Sequence, residues 1–150
     1  MTNLSSSSAL FTRLSKPNEN TAMSDGSAAS INYDRLMRAN LARVFNERDA
    51  GKRIIAIGEL YAEGAVLYEP PDTAAEGLAA ISAAVTGLLA SLPPEFVFAA
   101  TGPALGHHDM GRLRWQAGPP NGPVAVNGMD IVHVQDGRIH SLHAFIEPTA

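Results

Sequence analysis

Apolar residues recur at Ile31, Leu36, Leu41, Val44 and Phe45 among Asp, Arg, Asn and Glu, a spacing that predicts an amphipathic helix over residues 31–49 with Ser30 and Asn32 as capping candidates. After a break at Asp49 to Gly51, Ile54, Ile55, Ile57, Leu60 and Tyr61 repeat the pattern, and Gly64 is placed to end a second helix. The period then changes to two in AVLYEPPDT, which reads as a short strand stopped by paired prolines. The Ala- and Leu-rich run AAEGLAAISAAVTGLLASL predicts a third helix, halted at Pro93 and Pro94. Everything beyond it alternates: EFVFAATGPAL, MGRLRWQAG, PVAVNGMDIVHVQ and RIHSLHAFIEP, divided by Gly, Pro and Asn turns. Helices at the front and hairpins at the back predict an α+β domain, with a curved antiparallel sheet packed on three helices.

The first thirty residues show no such periodicity. They are rich in Ser, Asn and Thr, cannot bury enough surface to offset ordering entropy, and are expected to form a disordered leader ahead of one domain over 31–150. With 45% hydrophobic residues, a chain of 150 can build one core. A net charge of -4 argues against nucleic acid as a partner, since such surfaces are usually basic. The absence of cysteine removes thiolate nucleophiles and cysteine metal sites. No run reaches the ~18 apolar residues of a membrane span. A cytoplasmic protein without a membrane partner is expected.

The closing run GMDIVHVQDGRIHSLHAFIEP carries the densest chemistry. Asp136-Gly137 between alternating apolar runs signals a two-residue turn. Counting outward from it pairs Gln135 with Arg138, Val134 with Ile139, His133 with His140, Val132 with Ser141 and Asp130 with His143. That register puts Asp130, Val132, His143 and Phe145 on one face, and Ile131, His133, His140 and Leu142 on the other. Directly opposed Cβ atoms lie ~4.5–5.5 Å apart, so Asp130 and His143 are expected within hydrogen-bonding reach. Such a pair is either an acid-base unit or a polar pair that fixes register. His133 and His140, without a third ligand, read as surface or an oligomer contact.

Three other positions carry candidate chemistry. In MGRLRWQAG, Arg112, Arg114 and Gln116 alternate with Leu113 and Trp115, so the arginines either face water or meet acids such as Glu69 and Asp130. Glu69, at a strand end in LYEPP, suits a general base whose pKa an apolar setting would raise. His107, His108 and Asp109 read as a rim or edge feature, because neighbouring strand residues point oppositely.

The two front helices, the Tyr-Glu-Pro strand end, the EGLAAI step and the closing hairpin resemble the nuclear transport factor 2-like superfamily. The chain is most similar to its SnoaL-like branch, relatives of polyketide cyclases, ketosteroid isomerases and limonene epoxide hydrolases, over residues 31 to 148. The resemblance implies a cone-shaped α+β barrel with a deep apolar cavity, often in a homodimer. It implies that Glu69 falls where ketosteroid isomerases carry their base, in E-P rather than D-P, and Asp130 where they carry the protonated acid of the oxyanion hole. Their tyrosine partner is replaced by Leu41. Arg112 matches the arginine of the epoxide hydrolases' Asp-Arg-Asp arrangement, with Arg114 and His143 at the flanking acid positions. The polyketide cyclases' Asp and His are matched in chemical type by Asp130 and His143.

Together these readings predict a cofactor-independent isomerase or aldol-type cyclase for an apolar carbonyl compound, or a non-catalytic binding or dimerisation domain of the same fold. Asp130, His143, Glu69 and Arg112 are the candidate catalytic residues. Arg114, Tyr68, Phe145 and Val132 are candidate substrate contacts, and no metal ligands are assigned. An enzyme requires the catalytic set to converge on one enclosed space; a binding module does not.

Overall fold

The computed structural model describes residues 30–148; the expected leader lies outside them, Ser30 apart. Helix α1 (Tyr33–Asn40) begins where the Asn32 side chain accepts a hydrogen bond from Arg35 N at 3.0 Å, the usual way of satisfying a free N–H in a first turn. It runs on into a wide π-helical turn, Leu41–Phe45. Helix α2 (Ala50–Leu60) is capped in the same manner by Asp49. Strand β1 (Tyr61–Glu69) starts at once, because Tyr61 already has extended dihedrals and pairs with Ile139. The expected continuation of α2 to Gly64 is therefore corrected: strand pairing claims Tyr61 onward.

The third helix also starts later than its composition suggests. Thr73–Glu76 form strand β2, an edge strand folded back on β1 after the Pro70-Pro71 turn. Gly77, at φ 92°, then turns the chain into α3 (Leu78–Ser91), a backbone conformation that glycine adopts without steric cost. Three residues of high helix propensity, Ala74, Ala75 and Glu76, are thus held in a ladder because it satisfies their backbone groups.

Strands β3 (Val97–Ala100), β4 (Leu105–His107), β5 (Met110–Gly118), β6 (Val126–Gln135) and β7 (Arg138–Glu147) complete one curved, unclosed sheet. Its order is β2-β1-β7-β6-β5-β3, with β4 also beside β5. All pairs are antiparallel except β1 with β7, which run parallel. The sheet is therefore mixed rather than antiparallel throughout. The inner face meets the helices in a core that includes Val44, Ile57, Leu67, Ile81, Val85, Leu113, Val132 and Leu142.

The β6–β7 hairpin turns where expected, with Asp136 at φ 53° and Gly137 at φ 76°, the dihedral signs of a type I′ turn. Gln135 pairs with Arg138 and Val134 with Ile139. The next pair is His133 with Ser141, so His140 is an extra residue on β7, a β-bulge. From there the register is one step off the even count: Val132 opposes Leu142, Ile131 opposes His143, Asp130 opposes Ala144 and Met129 opposes Phe145. The expected facing of Asp130 and His143 is thereby corrected. A one-residue slip moves every later side chain to the other face.

Candidate functional site

Four segments bring the site together. The π-helical turn supplies Leu41 and Phe45, the end of β1 supplies Glu69, α3 supplies Leu88, and the sheet supplies Phe98, Trp115, Asp130 and Ala144. These side chains line a pocket of about 280 Å³ whose wall is mostly apolar. Asn46 fixes the helical side of this wall to the sheet: its side-chain amide donates to Phe98 O and accepts from Phe98 N, both at 2.8 Å. Phe45, Phe98 and Trp115 then pack edge to face in series, with ring centroids 6.0 and 5.3 Å apart, within the range favoured by aromatic pairs.

Two ionisable groups line this pocket among the described residues, and both are acids. Asp130 is only 4% exposed. Its Oδ1 accepts a hydrogen bond from the Trp115 indole Nε1–H at 2.9 Å. Burial pushes the Asp130 carboxyl up to about 7; the Trp115 bond opposes the rise, and the charge of Glu69 adds to it. Burial also raises the pKa of Glu69, the less enclosed of the two. The charge of Glu69 favours the neutral form of Asp130.

Tyr61 is fully buried, and its hydroxyl donates to Asn40 Oδ1 at 2.6 Å. Burial raises the phenol's pKa well above its ordinary value, with the charges of Asp130 and Glu69 adding to that. Leu41 presents an apolar side chain to the pocket.

The remaining expected site residues lie elsewhere. His143 is exposed on the outer face and stacks on Tyr68, with centroids 4.4 Å apart. Phe145 shares that face and is half exposed. Arg112 and Arg114 are also exposed and outward, and Arg114 pairs with Glu147. The arginine face is exposed, and the acid that Arg114 meets there is Glu147 rather than Glu69 or Asp130. Convergence on the pocket is thus corrected for His143, Arg112, Arg114, Tyr68 and Phe145: the bulge at His140 turns the β7 residues outward, and the alternation of β5 does the same for the arginines. Val132 faces inward but belongs to the core rather than the pocket wall.

His107 ends β4, while His108 and Asp109, at φ 49° and 66°, form the tight turn into β5. The two histidine rings meet Nδ1 to Nδ1 at 2.9 Å on the sheet margin, as an edge feature would. Among the described residues no three His, Asp or Glu side chains are grouped as a metal ion would require. No described helix is long and apolar enough to cross a membrane.

Trp115 is the site residue that sequence reasoning missed. The signal was present in outline, since alternation along β5 puts Trp115 opposite the arginines, and a buried indole N–H usually needs an acceptor. The register that brings it to Asp130 emerges only from the folded sheet.

The model of the SnoaL-like domain matches residues 39–142, a span that runs from the end of α1 through the first half of β7 and includes both pocket acids. The chain belongs to the SnoaL-like domain family. Among solved structures, it is similar to a protein of Agrobacterium tumefaciens described as an isomerase of the SnoaL-like family, at 25% identity and TM-score 0.72, covering 78% of this chain and 98% of that one. It also resembles a protein of Jannaschia described as a SnoaL-like polyketide cyclase, at 16% identity and TM-score 0.60, covering 81% and 92% of the two chains. A third, from Kribbella flavida and described as a ketosteroid isomerase, matches at 15% identity and TM-score 0.61 over 79% and 80%. The last two likenesses are of fold. No curated protein sequence matches this SnoaL-like chain.

Proposed function

We propose that this SnoaL-like protein is a cofactor-independent isomerase or aldol-type cyclase that moves a proton next to a carbonyl on a small apolar molecule. The observation that carries the reading is the presence of Glu69 and Asp130 on the wall of one apolar pocket, both with raised pKa. Glu69, the less enclosed acid, removes the proton from the carbon beside the carbonyl. The C–H electron pair becomes the C=C bond of an enolate as charge moves to oxygen. Asp130, neutral because it is buried, donates a hydrogen bond to that oxygen, which an ionised carboxylate could not do. Return of the proton from Glu69 to another carbon completes an isomerisation. Attack of the enolate carbon on a second carbonyl of the same molecule, whose oxygen takes up the C=O electron pair and then the proton held by Glu69, completes a cyclisation.

The Agrobacterium relative described as an isomerase agrees with this class of reaction. The mostly apolar pocket wall suits an apolar ligand. The same reading expects a homodimer, for which the exposed Tyr68 and Phe145 on the outer sheet face provide apolar surface.

The test is proton exchange into deuterated water, followed by NMR on a panel of one- and two-ring enolisable ketones. Exchange above the buffer rate with the wild type, and its loss in both Glu69→Gln and Asp130→Asn, is the expected result. A panel left unexchanged would turn the reading toward a non-catalytic binding domain, and exchange that persists in both variants would remove the two acids from the chemistry.

A further inference from the structure

Trp115 and Gly128 stand directly opposite one another in the β5–β6 ladder, and both are buried. A single carbon added to Gly128 would overlap Cζ2 and Cη2 of the indole and come within 2.6 Å of Cε2. The benzene ring of Trp115 therefore occupies the space in which any other residue would carry its side chain. Asp130 lies two residues further along β6 on the same face, diagonal to Trp115, and Leu113 is its direct partner. Diagonal neighbours are ~7–8 Å apart, a distance that an aromatic side chain can span. Lying over Gly128, the indole spans it, and Nε1–H reaches Oδ1 at 2.9 Å.

The geometry points to Gly128 as a positioning residue of the site: having no side chain, it lets Trp115 cross β6 and hold Oδ1 of Asp130, leaving the second carboxyl oxygen for the ligand. The indole N–H can only donate, so the oxygen that receives it takes the carbonyl-like role when the acid is neutral. The acid proton is thereby directed to the other oxygen. Trp115 thus selects which oxygen of Asp130 is the donor, and Gly128 acts through Trp115. The consequence for turnover rests on the proton-transfer reading above, whereas the arrangement itself is tested without turnover.

Trp115 is the single tryptophan of the chain, so its indole N–H gives one NMR resonance. In protein carrying ¹⁵N-tryptophan and ¹³C-carboxyl aspartate, that resonance is expected to titrate together with Asp130, and the titration is expected to vanish in Asp130→Asn. Gly128→Ala is expected to abolish the indole titration and shift the Asp130 midpoint upward, because the lost bond had favoured the charged carboxylate. Trp115→Phe leaves Gly128 uncrowded and is expected to give the same upward shift, so the test survives if Gly128→Ala does not fold. Adding Gly128→Ala to Trp115→Phe is expected to change the midpoint no further. An unmoved midpoint in Trp115→Phe, a wild-type titration in Gly128→Ala, or an additional shift in the double variant overturns the inference. A wild type that exchanges no ketone proton yet gives the expected titrations would count against the proposed reaction while leaving this arrangement standing.

Discussion

Glu69 at the end of β1 and Asp130 on β6 present their carboxyl groups to one apolar pocket, and the charge on Glu69 helps hold Asp130 toward its neutral form. Removing that charge should lower the Asp130 midpoint. In Glu69→Gln, a ¹³C NMR titration is expected to place it below the wild-type value of about 7. Burial remains, so the midpoint should stay above the ordinary aspartate range. An unchanged midpoint would mean that the two acids do not sense one another.

The same burial predicts how stability depends on pH. An unfolded chain releases the Asp130 proton near the ordinary 3.8, whereas the folded protein holds it to about 7. The contribution is fully present below the unfolded value and is lost as pH rises through the folded one. That gap corresponds to on the order of 4 kcal/mol. Glu69, also raised, adds a slope of the same sign. Asp34 and Asp49, whose pKa values are lowered by hydrogen bonds to Ala104 N and Lys52 N, work the other way in more acidic solution. Comparing Asp130→Asn with the wild type cancels those contributions. By urea denaturation the variant should gain stability relative to the wild type between pH 4 and pH 8; parallel curves would contradict a buried, neutral Asp130.

His143 provides the converse test. It stacks on Tyr68 on the outer face, so His143→Ala should leave the Asp130 midpoint and any ketone exchange as in the wild type. Combined with Asp130→Asn, its effect on stability should add to within ~0.5 kcal/mol. A coupling well above that would restore the even-register hairpin.

Tyr61 holds Asn40 rather than either acid. Tyr61→Phe removes a buried donor and leaves Asn40 Oδ1 without it, at an expected cost of about 1–3 kcal/mol in unfolding measurements. The Asp130 titration should move little. A fall in stability accompanied by a large shift at Asp130 would instead make the phenol part of the acid site.

Much of this architecture was legible in the chain. Periodicity marked three helices and the long back strands, and the Asp136-Gly137 turn formed where its dipeptide indicated. Glu69 and Asp130 were recognisable as the acids because a strand end beside Pro70 and an acid within an apolar alternation are local features. The rest depended on non-local pairing. Thr73–Glu76 became a strand because β1 offered an open edge, and Tyr61 left its helical pattern because β7 lay alongside. Trp115 reached Asp130 because Gly128 left room. Parity counting failed on His140, since a strand with one extra residue has the same local composition as one without it.

That extra residue works as a frameshift does in a coding message. The segment after it contains two interleaved texts: His143, Phe145 and Glu147 in one phase, and Leu142, Ala144 and Ile146 in the other. The bulge selects the second for the interior, so the hollow receives small and aliphatic groups while the imidazole, the benzyl ring and the carboxylate are sent outside. Pairing His140 with His133 instead of bulging it out would exchange the two texts without altering a single letter, and would turn the bulkier one toward the pocket that Glu69 and Asp130 line.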